Sequence, residues 1–437
     1  MTDAIFGLPQ PFGGIVTEPF RIPVKNFYDS SFVVSGTSVC NLSELSVHAK
    51  GWDGSTLDRS PLSGVGCDLD WDVARLKAVC EGAERYSASV VATHEYTVSA
   101  ACDLQCPHVA PDSIPRLSDS ELALPGQYFR PFDSRAPIRW AWSFELTSRE
   151  ERLLPLVMSH LYPRAWTTER FWNPISTGLA VHTDPNAAIV AGVCEVVERD
   201  AIALTWLLRR RLPKIRFGEA DLELFDPAAR YFLSRTEEFS FFDATTDIGL
   251  PTIYLVRRRP RHPFAATVVS CATAFSYAEA CYKSLRESIS TNLLLDSGIL
   301  RVAEETLDFS LIHEGAAFMA QPRMADAFSF IDGNAVDFSA LLASEPKCDD
   351  APIPRIRWIA GRMRDMAMEV YLSDVTSREL RRAGLHCYRA VIPGLMPMSV
   401  VARARFLGTP RLHEMARAMG HVGDVDSFVN PLPQPFA

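Results

Sequence analysis

Apolar residues recur at helical spacing in three stretches of the chain and alternate with polar ones in several others. In DLDWDVARLKAVCEGAERYSAS, Ala, Leu, Val and Ala repeat every three or four positions, which predicts a helix capped by Asp70 or Asp72. A Gly loop, SGVG at Ser63–Gly66, leads into it. NPISTGLAVHTDPNAAIVAGVCEVVERDAIALTWLL reads the same way, as a Gly-containing loop and a long helix with Asp184 or Asn186 near its start. YAEACYKSLRESISTNLLL is a third helix. β-branched and aromatic runs predict strands at GGIVTEPFRI, SFVVSGTSV, IRWAWSFEL, FSFFDATTDIGLPTIYLV and FAATVVSCATAF. Residues 107–126 are rich in Pro and Ser and read as a loop, and SEPKCDDAPIPR breaks the chain near 344–355. The elements alternate without a regular parallel β-α-β cadence. A mixed α+β fold, with several sheets and packed helices, is therefore expected rather than a Rossmann fold. We expect one multilobed domain over residues 1–437.

Composition narrows the function classes. An apolar fraction of 47% and a charged fraction of 22% are ordinary for a folded protein. The formal charge of −9 argues against a general nucleic-acid binder. No apolar run reaches the roughly 18 residues of a membrane span, and MTDAIFGLPQPFGG lacks the charge pattern of a secretory signal. The ten cysteines are scattered, several in apolar runs, as expected of reduced thiols in a cytoplasmic protein. Cys102, Cys106 and His108 have partial zinc spacing but no clear fourth ligand, so they read as loop residues. The basic runs LLRRRLPKIRF and VRRRPRHP read as solvated segments, the second as an exposed hairpin turn.

The chemistry lies in a duplication. Val-Cys-Glu-x-x-Glu-Arg occurs once with Glu81, Glu84 and Arg85 and again with Glu195, Glu198 and Arg199. Residues three apart on a helix share a face, so each pair of carboxylates projects together from semi-apolar surroundings. Such pairs repel and lose hydration, and something must offset that cost. Taken singly, the neighbouring arginine is enough. Duplicated, with Glu287 on the third helix, the pairs suggest five carboxylates converging on hard divalent cations and the phosphates those cations carry. No GxxxxGK[ST] loop, HExxH or GxSxG is present, so a bound nucleotide would be held through metal bridges and arginines.

These motifs, in this order, resemble the YcaO family of ATP-dependent enzymes that modify peptide backbone amides. The resemblance covers SGVGCDLDWDVARLKAVCEGAERYSA, ISTGLAVHTDPNAAIVAGVCEVVERDA, FFDATTDIGLPTIYLV, AEACYKSLRES and VIPGLMPMS, roughly residues 10–437. It implies ATP and Mg2+ as cofactors. Glu81, Glu84, Glu195, Glu198 and Glu287 would serve as metal and nucleotide ligands, with Arg85 and Arg199 as phosphate or carboxylate partners. Four positions depart from the pattern: Lys77 replaces a Ser, Thr177 an Asn, Ala187 an acid and Lys283 a Gln. Lys77 and Lys283 would then meet a nucleotide phosphate.

The implied activity is a cyclodehydratase that forms thiazoline or oxazoline rings from Cys, Ser or Thr of a ribosomally made precursor peptide. Alternatives are a thioamide- or amidine-forming enzyme of the same fold, or a non-catalytic scaffold in a peptide-modifying complex. The implied partners are the precursor peptide, a leader-binding E1-like protein and a flavin-dependent azoline dehydrogenase, with a homodimer inside the larger complex. The last ten residues, 428–437, include Pro431, Pro433 and Pro435 before Ala437. Each proline stiffens an extended backbone. The segment resembles the Pro-x-Pro-x-Pro tail of azoline-forming relatives, which implies that it reaches the active site near the three acidic helices, with Phe436 or the terminal carboxylate of Ala437 helping to order the site or handle protons.

Overall fold

The computed structural model describes residues 5, 7–10, 14–24, 31–40, 63–161, 166–296, 308–309 and 312–436. In chain order, β1 (Phe20–Ile22), β2 (Val33–Ser38) and β3 (Ser63–Asp68) precede helix α1 (Trp71–Ser89). Next come β4 (Tyr96–Ser99), β5 (Ile138–Glu145), β6 (Glu150–Pro155), β7 (Leu179–His182) and α2 (Pro185–Leu207). Strands β8 (Leu212–Arg216), β9 (Phe239–Asp243), β10 (Thr252–Arg258) and β11 (Thr267–Thr273) lead into α3 (Tyr277–Asp296). The described chain continues through β12 (Asp332–Asp337), α4 (Pro352–Asp365), β13 (Tyr371–Asp374), β14 (His386–Val391) and α5 (Pro410–Ala418).

Among the described residues the strands form three sheets, and the protein is a mixed α+β fold. β1-β2-β3 is antiparallel. β11-β10-β9-β8-β12 is antiparallel except for the parallel β8–β12 pair. The third runs β4-β5-β13-β14-β7, with β6 added on β5. Helix α2 is buried on almost every side, with Val193, Val197, Ala201 and Leu204 fully enclosed. It packs between β7 and β14 of the third sheet and β11 of the second. Helix α1 lies on β3 and reaches β7, while α3 lies on β10 and β11 and reaches β3. All three acidic helices therefore meet around the inner edges of the sheets.

Two segments expected to be Gly loops contain strands instead. Ser63–Asp68 is β3 and pairs along its whole length with β2. Its glycines serve close approach, not a turn: a Cβ on Gly64 would sit 2.1 Å from the carbonyl oxygen of Ala78, and one on Gly66 1.9 Å from that of Ala74. Helix α1 is thus pressed directly onto the strand backbone. In the second copy Leu179–His182 is β7, and Gly178 before it has φ +84°, with Ala390 O 2.1 Å from where a Cβ would lie. Asp70 caps α1 by accepting from Asp72 N and Val73 N, and Asp184 caps α2 by accepting from Asn186 N. The hairpin between β10 and β11 carries the second basic run; its tip, Pro260 and Arg261, is exposed as expected, but two of its arginines are engaged within the fold. Arg257 is buried against Glu238, and Arg259 pairs with Asp296.

Candidate active site

The two Glu-x-x-Glu-Arg copies build the same local structure. Each leading glutamate accepts a backbone N–H from the strand region that precedes its helix: Glu81 Oε2 from Val65 N at 2.8 Å, Glu195 Oε2 from Gly178 N at 3.1 Å. Each arginine reaches back one turn to the other oxygen of that glutamate. Arg85 Nη2 lies 3.0 Å from Glu81 Oε1, and Arg199 Nη2 3.3 Å from Glu195 Oε1. Both oxygens of Glu81 and of Glu195 are therefore engaged in holding a strand to a helix and an arginine in place.

The trailing glutamates are different. Glu84 pairs with Arg85 through Oε1. Glu198 accepts from Thr273 N on β11 at 3.1 Å through Oε2, with Arg199 3.7 Å from Oε1. Burial pushes the Glu84 carboxyl up to about 8, and the negative charges of Glu195 and Glu81 add to the rise against the pull of Arg85. Glu198 is likewise driven well above the usual carboxylate range, by burial first and then by Glu287. Glu287, on α3, is exposed, yet the surrounding protein raises its carboxyl to about 7, with Glu195 adding to the effect. The structure thus brings Glu84, Glu195, Glu198 and Glu287 within electrostatic reach of one another, with Glu81 beside Glu84.

The five carboxylates do not make a protein-only metal cage. Among the described residues, no three His, Cys, Asp or Glu side chains are grouped to hold one metal ion. That fits magnesium, which takes one or two carboxylates and fills its octahedron with water and phosphate oxygens. The raised carboxyls are groups whose charged form is disfavoured by burial and by each other, and a divalent cation would offset both effects. Arg199 Nε is buried without a partner, so the cleft also has cationic capacity to spare. A nucleotide with its magnesium ions fits this donor set. Among the described residues Cys102, Cys106 and His108 are not grouped as metal ligands: Cys102 Sγ faces Asp103, and the His108 ring stacks edge-on against Trp140.

Two of the expected phosphate ligands are already engaged. Lys77 Nζ is turned to Asp68, which also accepts from Arg286 Nη1 at 3.1 Å, so this trio ties α1 to α3. Lys283 Nζ pairs with Glu279 at 2.7 Å, one turn back on α3. Sequence reasoning also missed a buried network beside the site. Arg411 on α5 donates from Nη2 to Asp200 Oδ2 at 2.9 Å and from Nη1 to Asp247 Oδ2 at 2.8 Å. Asp200 also accepts Met396 N at 2.9 Å. The aspartate that follows the second Glu-Arg therefore anchors the Pro-Gly-Leu-Met segment that walls the cleft. Asp200 stood in the motif, but nothing in the spacing pointed to Arg411.

The tail is packed. Trp206 Nε1 donates to Leu432 O at 3.1 Å, and Asn430 N donates to Leu207 O at 2.8 Å. Pro433 and Pro435 are buried and Pro431 is exposed. Phe436 is buried edge-on against Tyr254, ring centroids 5.3 Å apart, in a cluster with Cys271 and Met398. Met398 Sδ lies 3.8 Å from Arg199 Nη1. Ala437 lies outside the described residues.

Ligand binding here should be linked to protons. Carboxyls raised to about 8 and about 7 must ionise before they hold a cation. Because their folded pKa values are raised, these groups stabilise the ligand-free fold below the ordinary carboxylate range, and that contribution is lost as pH rises through 7–8. His160, depressed to about 4, does not titrate in that window. Between about pH 6.5 and 8.5, Mg·ATP affinity should rise, binding should release protons, and the ligand-free melting temperature should fall. Calorimetry in buffers of different ionisation enthalpy, with melts alongside, checks all three; pH-independent affinity with no proton release contradicts the assignment.

A family model described as YcaO cyclodehydratase, ATP- and Mg2+-binding, matches residues 65–396. An uncharacterized protein in the tfuA 3′ region of Rhizobium leguminosarum bv. trifolii is 32% identical over 127 residues, which is 28% of this chain and 29% of that protein. A heterocyclase solved in complex with substrate and cofactor superposes with a TM-score of 0.77 at 19% identity, covering 100% of this chain and 57% of that one. YcaO from Methanopyrus kandleri bound with AMPPCP and Mg2+ gives 0.61 at 16% identity, covering 89% of this chain and 88% of that one. The E. coli microcin synthetase McbBCD complex gives 0.57 at 15% identity, covering 88% of this chain and 89% of the matched one. The chain thus spans 29% of the curated relative and 57% of the heterocyclase. At these identities the structural matches bear on the fold.

Proposed function

We propose, because this chain belongs to the YcaO cyclodehydratase family, that it is an ATP-dependent enzyme forming thiazoline or oxazoline rings in a precursor peptide. The observation that carries the reading is the convergence of both Glu-x-x-Glu-Arg helices and α3, which brings their carboxylates within electrostatic reach of one another and helps raise those of Glu84 and Glu287 to about 8 and about 7. The heterocyclase and microcin synthetase relatives, and the AMPPCP and Mg2+ carried by the archaeal one, support it.

Bound ATP with magnesium would supply the phosphoryl group that turns the substrate's amide oxygen into a leaving group. Glu84, Glu198 and Glu287 are the residues we assign to the magnesium ions, since their oxygens are least committed within the fold. Glu81 and Glu195 hold Val65 and Gly178 to the helices and fix Arg85 and Arg199. Arg199 then neutralises charge on the phosphate side of the cleft. No covalent nucleophile is required of the protein; its share is orientation and charge balance in a site shielded from water.

The substrate is proposed to be a peptide rich in Cys, Ser or Thr, presented by a leader-binding partner protein. With such a partner, mass spectrometry should show a loss of about 18 Da per ring, one water for each activated amide. ATP consumption should appear only with both peptide and partner present. ATP turnover without any mass change in the peptide would refute ring formation.

A further inference from the structure

Among the described residues, one cation in the cleft makes no ion pair. Arg389 sits in β14, opposite Ser373 of β13 and Leu179 of β7. It is 1% exposed. Its Nη1 donates to Ile175 O at 2.6 Å, and its Nε is buried without a partner. Among the described residues no carboxylate pairs with it, whereas Arg85 and Arg199 both hold glutamates directly. Arg389 and Arg199 line one cleft, whose walls are otherwise mostly apolar, with Trp172, Ile392, Leu395 and Met396 among them.

This is an expensive arrangement for a structural arginine. Removing a guanidinium from water costs several kcal/mol even after relaxation, and only a close counter-ion recovers it. The nearby carboxylates are Glu84 and Glu195, whose charge Arg389 feels, but those are already served by Arg85 and Arg199. Burial also lowers the Arg389 pKa to about 10, which an arriving anion would reverse. A planar fork with unspent N–H groups matches a tetrahedral oxyanion, which accepts two parallel hydrogen bonds. Apolar walls strengthen that attraction.

We infer that Arg389, together with Arg199, receives the phosphate that carries away the substrate's amide oxygen. The inference rests on the ATP-dependent reading above. In that step the carbon–oxygen bond of the activated amide breaks with its electron pair on oxygen, and the ring nitrogen loses its proton as the carbon–nitrogen double bond forms. The oxygen departs within inorganic phosphate. Arg389 holds the departing oxyanion in the pocket that it lines with Arg199.

The test is calorimetric and needs no turnover. Mg·ADP is titrated into the full chain, and inorganic phosphate is then titrated into the loaded protein, for wild type, Arg389→Gln and Arg389→Lys, with melts to confirm folding. Arg389→Gln should bind Mg·ADP within about threefold of wild type but phosphate at least about tenfold more weakly, equivalent to about 1.4 kcal/mol. Arg389→Lys keeps the charge and loses the fork, so it should fall between the two, and it decides the matter if the Gln variant does not fold. Unchanged phosphate affinity in a folded variant overturns the inference. So does loss of Mg·ADP binding by Arg389→Lys, or failure of the loaded wild type to bind phosphate. If wild type binds no Mg·ADP, the nucleotide reading fails and takes this inference with it.

Discussion

Glu198→Gln should abolish ATP consumption while the protein still folds. Glu198 is 6% exposed and sits where α2 meets β11, accepting Thr273 N and lying beside Arg199 and Glu287. Glutamine keeps the shape and an acceptor oxygen for Thr273 N, so the strand contact survives. It removes the negative charge that a divalent cation needs. Even outer-shell partners of metal ligands cost 10–100-fold when removed, so a ligand should cost at least about a hundredfold. The ligand-free fold should lose little, because glutamine keeps the shape and the acceptor for Thr273 N, and burial already disfavours the charged form of Glu198. Phosphate release with partner and peptide present measures the loss, and a melt measures the fold. Wild-type ATP consumption by Glu198→Gln would remove Glu198 from the site, and a lowered melting temperature would make it structural.

Much of this was legible because local chemistry and tertiary placement agree in the repeat. Helical spacing put Glu81 with Glu84 and Glu195 with Glu198, and the arginine one turn on from the leading glutamate is the pairing that spacing allows. Caps at Asp70 and Asp184 followed from residue type. What misled was glycine. Gly64 and Gly66 resemble loop residues because nothing local says that a helix will press on them; the demand comes from Ala74 and Ala78 across the packing. The division of labour inside each pair was hidden for the same reason. Spacing cannot tell that Glu81 and Glu195 are anchored by Val65 N and Gly178 N while Glu84 and Glu198 are left with raised carboxyls. Arg389 offered one faint signal, an arginine inside the apolar strand HCYRAV, and Arg411 offered none. Both act through partners more than a hundred residues away, a distance at which periodicity says nothing.

Deleting residues 431–437 should cut ring formation by at least about a hundredfold, as expected for loss of positioning at a reacting centre, while Mg·ATP binding stays within about threefold. The tail is stiff for local reasons, since each proline fixes its own φ and extends the residue before it. It is also docked. The Gly315 Cα faces Gln434 O so closely that a Cβ would lie 2.5 Å away, and Trp206 Nε1 holds Leu432 O. Phe436 fills a pocket against Tyr254 next to Cys271, whose thiol feels the charges of Glu198 and Glu287. The path from tail to site is therefore short: Phe436 packs in the cluster that holds Met398, and Met398 touches Arg199. A purely structural tail predicts something else. Removing Phe436 would expose Tyr254 and Trp206, lower the melting temperature and weaken nucleotide binding along with ring formation. The extension variant separates the two readings. Appending a few residues after Ala437 leaves Leu432 and Phe436 free to dock but removes the free chain end that we propose acts in the reaction. Ring formation should fall in the extended protein as in the truncated one, with its melting temperature unchanged. Full cyclisation by the extended chain, beside a destabilised truncation, would reduce the tail to packing.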